Sequence, residues 1–588
     1  FSHVILFQCT PFKKVMGTFS TWDYLVFSLV LLISAGIGIY FRLTGGKQKT
    51  TDEYLLADRN MSVLPVSFSL MASFMSAITI LGVSTENYQF GTQFLVINIA
   101  YVICTPICAY LFLPVFFKLN TASVYEYLEK RFGKITRLVA SLAYSLQMIL
   151  YMGIVLYAPA LALEAVTGIG KTTAILSIGI VCTFYSTIGG MKAVLITDVF
   201  QSFLMFAAIY SVIICAAVHA GGFAPIWDAA FKGGRIEFWN FDPDPTTRHT
   251  WWSLIIGGSA TYLSLYGVNQ TQVQRLLTVR DLKAAQRSLW WNLPILCLLS
   301  FSTSFSGLAI YYYYKDCDPL LEKRISSRDQ VMPLFVVDTM THLPGLSGLF
   351  VSGIFSASLS TVSSAVSSLA AVTLEDYIKP LYKLIKKQPM PEINTTLPSK
   401  ITAMIYGILC IGLAFAAQSM GAILQASLTI FGVVGGPLLG LFVLGMCSTT
   451  ANQKGALTGL FLGLVFSFWV GFGGPKPPQK FLSFTDEGCK NSTFYRASAQ
   501  SEDVEYFWLF KISYLWYSVL GFITTVVAGL AVSAIFTKLK GGDFPPEGNE
   551  EHRNYDLFIP PLARCLKKKA IERMSISISS KNAQITRL

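Results

Sequence analysis

Hydroxyl groups recur at helical spacing through the uncharged stretch GIFSASLSTVSSAVSSLAAVT, which opens the segment Gly353 to Asp376. It runs about twenty residues, long enough to cross a bilayer as a helix. On a helix, Ala357, Ser360, Thr361, Ser364 and Ser368 form one stripe, at i, i+3, i+4, i+7 and i+11. Hydroxyls are costly in lipid, so the stripe is expected to face protein or a polar cavity. Clustered neutral oxygens suit a small hard cation such as sodium. Small Ser and Ala residues also serve close helix packing and bond back to their own carbonyls. The stripe alone leaves both readings open.

The rest of the chain is a frame built for a membrane. Of 588 residues, 53% are hydrophobic and only 13% charged, which marks an all-α polytopic membrane protein. Hydropathy predicts about thirteen spans: 24–41, 62–84, 93–117, 138–165, 173–189, 198–220, 252–270, 288–312, 348–372, 401–418, 422–447, 455–473 and 513–537. The stretches 221–251 and 474–511 are too short and polar to be separate domains.

A net charge of +12 is laid out for a membrane rather than for nucleic acid. Basic residues gather in alternate loops, around Lys47, Lys130, Arg275 to Arg287, Lys379 to Lys387 and Lys567 to Lys569, while the intervening loops are mixed or acidic. The positive-inside rule then puts the N-terminus outside and the C-terminus in the cytoplasm, as an odd span number requires. Residues 1–16, which end at the Met16 of MGTFSTWDY, read as an extension upstream of the membrane domain. Asn491, in the sequon Asn491-Ser492-Thr493, falls in an exterior loop and is a glycosylation candidate. Cys317 and Cys489 are both exterior and can pair if the fold brings them together.

Two spans carry polar interruptions, SFMSAIT at Ser73 to Thr79 and YGVNQTQ at Tyr266 to Gln272. Counted from 62–84, they are the first and sixth core spans, as expected of two inverted five-helix repeats whose broken helices frame a site. Gly435-Gly436-Pro437 predicts a kink in the tenth. GGMKAVLITDVFQ (Gly189 to Gln201), SLYGVNQTQVQR (Ser264 to Arg275) and SASLSTVSSAVSSLAAVTLEDYIKP (Ser356 to Pro380) resemble the sodium/solute symporter family. SFMSAITILG, YMGIVLYAPALAL, WNFDPDPTTRHTWW, YKDCDP and GGPLLGLFVLG resemble its branch of sodium-coupled monocarboxylate, sodium-dependent multivitamin and sodium/iodide transporters. The resemblance implies a LeuT-type fold with extra terminal helices over residues 17–540, leaving 541–588 as a cytoplasmic basic tail.

By that resemblance, one sodium lies between carbonyls of Ala72 and Met75 and oxygens of Ala357, Ser360 and Thr361. Asp198 resembles the family's acidic residue on the inward sodium path; a carboxylate at a helix N-terminus is the equal alternative. Ser76 and Ser364 are candidates for a second sodium, and Thr79, Tyr151, Tyr266 and Ser427 for the substrate lining. A tenfold sodium gradient contributes roughly 1.4 kcal/mol per ion, and about 60 mV a similar amount per net charge moved. One sodium with a monoanion moves no net charge; two raise the drive to roughly 4 kcal/mol, about a thousandfold accumulation.

No Lys or Arg is expected deep in the core, so an anionic substrate must rest on sodium, helix N-termini or hydroxyls. Thr79 matches monocarboxylate members at a position where the iodide transporter has glutamine, whereas LLADRNM (Leu55 to Met61) resembles the multivitamin member. The order of expectation is short monocarboxylates, then vitamins such as biotin or pantothenate, then iodide. Enzyme motifs such as HExxH, a Walker loop, CxxC and GxSxG are absent, and the transporter needs no cofactor beyond sodium as coupling ion. A plasma-membrane location is expected, and Thr586-Arg587-Leu588 fits a PDZ ligand as well as a disordered basic end.

Overall fold

The computed structural model describes residues 19–44, 51–119, 122–391, 395–418, 422–485, 488–489, 505–539, 555–569 and 571–572. Asn491, Thr586, Arg587, Leu588 and the extension 1–16 lie outside them. The principal helices are α1 (Thr21–Leu43), α2 (Val63–Phe74), α3 (Thr79–Phe90), α4 (Thr92–Leu119), α5 (Lys134–Thr167) and α6 (Lys171–Ala220). Next come α7 (253–267), α8 (Gln270–Leu276), α9 (Leu282–Tyr314), α10 (Val331–Met340) and α11 (Leu346–Lys386). The series closes with α12 (Thr396–Ala417), α13 (Ile423–Cys447), α14 (Gln453–Phe472) and α15 (Trp516–Leu539).

All thirteen apolar stretches are helical, yet among the described residues ten helices are long and apolar enough to span, or eleven with α2 and α3 as one bent span. The stretches 173–189 and 252–270 are not among them. α6 runs from Lys171 to Ala220 with a break at Gly190, between the expected stretches 173–189 and 198–220, and α7 stops at Val268, whose φ of −136° leaves the helical region. At Gly190 the backbone takes φ 66° and ψ 171°, a conformation open essentially only to glycine. The kink expected at Gly435-Gly436-Pro437 is instead a π-helical turn, Phe431–Gly435, absorbed within one continuous span. Pro437 sits in the first turn of the following α-helical segment, where its missing N–H costs little.

Helix α11 occupies the centre. Of its most apolar window 94% is buried, against 22% for each of α1 and α15, so α11 is core and the other two are peripheral. It packs on α6, α5 and α2. A methyl group at Gly353 would run into the Ala208 side chain, so this glycine sets how closely α11 approaches α6. Asp23 joins α1 to the same helix: one carboxylate oxygen accepts from the Ser20 amide at 2.9 Å, closing a capping box, and the other from the Gly348 amide at 2.9 Å.

Charged side chains tie the two ends. At one, Arg137 on α5 holds Asp376 of α11 and Glu129, and Arg131 donates to the Gly445 and Ser448 carbonyls. There Leu557 and Ile559 bond back to Tyr127 and Met446, so part of the anticipated tail packs against the helices. At the other end, Arg328 meets Asp318 at 3.3 Å, Tyr88 donates to Asp318 at 2.8 Å, and Cys317 is joined to Cys489 by a disulfide.

Gly190→Ala forces a side chain into that glycine-only conformation, at a cost of about 1–3 kcal/mol. A lowered unfolding midpoint is expected in detergent-purified protein. An unchanged midpoint would mean that the α6 break relaxes without strain.

Candidate functional site

The site grows from the gap between α2 and α3. At Met75 the chain leaves the helix (ψ 97°), and the two helices diverge by 64°. The Ser76 carbonyl receives the amides of Thr79 and Ile80, and its hydroxyl the amide of Ile78 at 3.1 Å, so three of the amides that restart α3 are satisfied at the break. Ala72 lies in the last turn of α2, where its carbonyl would have been met by the next amide of a continuing helix. The Thr361 hydroxyl on α11 reaches that carbonyl at 3.3 Å and its own Ala357 carbonyl at 3.0 Å. Ala72, Met75, Ala357, Ser360 and Thr361 are all buried.

The hydroxyl stripe faces protein along its length. Ser360 donates to Asp198 at 2.6 Å, Ser364 contacts Ser73 at 3.1 Å, and Ser368 contacts Tyr144 and Thr271 at 2.7 and 2.8 Å. Packing and polar function therefore coincide, since several of these hydroxyls also bond back along α11. Asp198 lies on α6 well past the first turn after Gly190, so the helix N-terminus does not account for it. Its second oxygen accepts from Ser69 on α2 at 2.5 Å. Asp198 thus joins α2, α6 and α11. One turn on, both amide atoms of buried Gln201 lack a partner among the described residues, a signal that composition and motif spacing did not single out.

Arg275 corrects the expectation of a core without basic side chains. Assigned by sequence to a cytoplasmic basic loop, it is fully buried at the end of α8. Its guanidinium donates to Ser69 at 2.9 Å, to the Thr271 carbonyl at 2.6 Å and to Ser364, and lies 3.9 Å from Asp198. The cue lay in the motif: Asn269 caps α8 by accepting from the Thr271 amide at 2.9 Å, and this short polar helix turns inward. Because the guanidinium fills Ser364, that hydroxyl is a poor ligand for a further cation. Ser76 belongs to a different group, accepting from Tyr151 at 3.3 Å.

The substrate-lining candidates divide by environment. Tyr151 packs its ring 4.5 Å from Phe431 of α13, beside the break. Tyr266 stacks on Tyr262 at 4.4 Å and donates to the Leu70 carbonyl at 3.3 Å. Thr79, at the start of α3, is only half-buried. Ser427 bonds back to the Leu424 carbonyl at 2.8 Å, the packing role of a serine within a span.

Beyond the break, Arg248 grips Glu86 on α3 through two bonds of 2.7 and 3.1 Å and donates to Gln425 on α13 at 2.8 Å. The guanidinium lies 4.3 Å from the Phe90 ring. Burial and then the Arg248 charge hold the neighbouring His249 well below its ordinary range, so it is a neutral partner for Tyr514 at 3.0 Å. This cross-link between the first and tenth core helices also escaped sequence reasoning, because its members come from three distant segments.

Residues 54–463 match the family described as Sodium:solute symporter family. The chain is 58% identical over 575 residues to a Drosophila melanogaster protein named "Putative sodium-dependent multivitamin transporter", covering 96% of this chain and 95% of that one. It is 45% identical over 541 residues to human sodium-coupled monocarboxylate transporter 1, covering 88% of each. Among solved structures, a substrate-bound, outward-open Na+-coupled sialic acid symporter superposes with a TM-score of 0.73 at 25% identity, covering 88% of this chain and 98% of that one. The all-helical, LeuT-type architecture is thus shared with a sodium-coupled symporter.

Removing one member of the Asp198–Arg275 pair leaves the other as an uncompensated buried charge, typically costing about 3–5 kcal/mol. Asp198→Asn and Arg275→Met are each expected to lower the unfolding midpoint strongly, with the double variant losing clearly less than their sum. Additive losses in that double-mutant cycle would mean the two charges are uncoupled.

Proposed function

Because the chain belongs to the sodium:solute symporter family, we propose that it imports small organic monoanions, foremost monocarboxylates, by letting sodium run down its gradient through alternating access. The observation that carries this reading is the meeting of Thr361 with the Ala72 carbonyl beside the α2–α3 break. A small hard cation replaces its hydration shell with such oxygens. Ala72, Met75, Ala357, Ser360 and Thr361 are the proposed sodium ligands, and Asp198 the carboxylate on its inward path. The Arg275 guanidinium, filled by its own bonds, tempers that carboxylate. Thr79, Tyr151 and Tyr266 are the proposed substrate lining; Ser427, bonded to its own helix, supports the wall from behind.

A second reading within the same chemistry is a carboxylate vitamin such as biotin or pantothenate. It is favoured by the 58% identity to the protein whose name carries that activity. The proposed setting is the plasma membrane, with the C-terminal side cytoplasmic, since the basic loops fall on that side. Glycosylation at Asn491 and PDZ capture of Thr586, Arg587 and Leu588 belong to the same proposal.

The deciding experiment is uptake of labelled lactate, nicotinate, biotin and pantothenate into proteoliposomes with membrane current recorded. Saturable, sodium-dependent entry is expected, and equal entry with choline in place of sodium would overturn the reading. Thr361→Ala removes one ligand oxygen while keeping a good helix former, and is expected to raise the half-saturating sodium concentration roughly tenfold, the effect of about 1.4 kcal/mol. No change in that concentration would remove Thr361 from the site. Thr79→Gln is expected to alter the ranking among the four acids at unchanged sodium affinity; an unaltered ranking would take Thr79 out of the pocket.

A further inference from the structure

A cavity lined by none of the proposed sodium ligands lies against the Arg248 cross-link. It encloses about 720 Å³ and is bounded by the loop 475–482, the stretch 237–249 and the start of α15. Its wall carries Lys476, whose ammonium is half-buried. The hydrogen-bond partner of that ammonium is the Tyr517 phenol at 2.6 Å, and the ammonium also lies 4.6 Å from that ring. Among the described residues no carboxylate stands within ion-pairing distance of it. Taking a cation partly out of water without a counter-charge is unfavourable, and an incoming anion relieves that cost. Burial lowers the Lys476 pKa to about 8, so the group remains largely charged at neutral pH.

Three further features make this a built site. Pro475, Pro477 and Pro478 flank the lysine and restrict the chain, so presenting the ammonium sacrifices little further entropy. Gln479 donates to Gln425 at 2.5 Å, and the Leu482 amide to the Gln89 carbonyl at 3.1 Å, fixing the loop to α13 and α3. Phe90, Phe510 and Tyr514 share the wall with Lys476 and can cover an apolar body. Of the carboxylates on the same wall, Asp244 is taken up by the Thr246 amide and hydroxyl, and Glu237 faces solvent.

We infer that this cavity is a vestibular binding site for an organic acid that carries one carboxylate on an apolar body, with the Lys476 ammonium as its anchor. The site captures the anion outside the Arg248–Glu86–Gln425 cross-link, before it reaches the break between α2 and α3. It is distinct from the sodium-coupled site and contributes binding rather than translocation. The inference rests on the monoanion reading above for the identity of its ligand class.

Two measurements on the full chain test it. Tritiated biotin and tritiated nicotinate serve as probes in equilibrium binding to nanodisc-reconstituted protein without sodium. Wild type is expected to bind at least one of them weakly, in a salt-sensitive manner. Lys476→Gln should weaken that binding roughly three- to tenfold, while Lys476→Arg retains it. In sodium-driven uptake, Lys476→Gln is expected to raise KM with Vmax and the half-saturating sodium concentration unchanged. Lys476→Arg, which keeps the charge, is the conservative comparison and should leave KM near the wild-type value. No sodium-free binding by wild type, equal binding by Lys476→Gln, or an equal KM shift in Lys476→Arg would each overturn the inference. Intact sodium-free binding without sodium-driven uptake would overturn the transport reading alone.

Discussion

A backbone polar group inside a bilayer must find a partner within the protein, and the architecture follows from that requirement. An unbroken apolar helix satisfies itself and can face lipid, as α1 and α15 largely do. A helix that opens its ladder must be covered. The break between α2 and α3 lies against α11, whose Thr361 meets the Ala72 carbonyl. The break between α7 and α8 is covered by Asn269 and by the Gln270 side chain, which receives the Val124 amide at 2.8 Å. Free oxygens are thus confined to places where other helices shield them from lipid, which is where a dehydrated cation can use them.

The same reasoning applies to charge. Arg275 and Asp198 are both fully buried, and each is tolerable because the other, together with Ser69, Ser360, Ser364 and the Thr271 carbonyl, supplies nearby opposite charge and hydrogen bonds. Ser69 donates to Asp198 and accepts from Arg275, so α2, α6, α8 and α11 share one network. Movement of α2 against α11 would have to remake those bonds. That couples the geometry around Ala72 and Thr361 to the state of the Asp198 carboxylate. At the other end, Arg248 plays the corresponding part between α3 and α13, with Gln425 passing the connection on to the loop through Gln479.

Lys476 stands apart from these pairs. Arg248, Arg275 and Arg328 each have a carboxylate within 4 Å, whereas among the described residues the half-buried Lys476 has a phenol. The contrast separates charges that hold the fold together from one that is left available at a cavity wall. The difference is physical, since a satisfied ion pair has little left to offer a ligand, while an uncompensated cation does.

Much of this was already written in the order of residues. Apolar runs of spanning length predict the helices, because hydrocarbon selects against exposed backbone. Ser, Asn and Gly within SFMSAIT and YGVNQTQ predict where two of them break, because those residues cap and turn chains. The spacing of Ser360, Thr361, Ser364 and Ser368 predicts one shared helical face. What that face touches was decided only by tertiary structure. Ser360 reaches Asp198, Ser364 meets Arg275, and Thr361 alone of the three meets the Ala72 carbonyl, since each depends on which distant helix lies opposite. The early end of α7 at Val268 is likewise a local conformation that average hydropathy cannot register. Arg275 is the plainest case: next to other basic residues it reads as a loop charge, and only the inward course of α8 makes it part of the core. Sequence determines what each segment can satisfy by itself; the fold determines which segment satisfies the remainder.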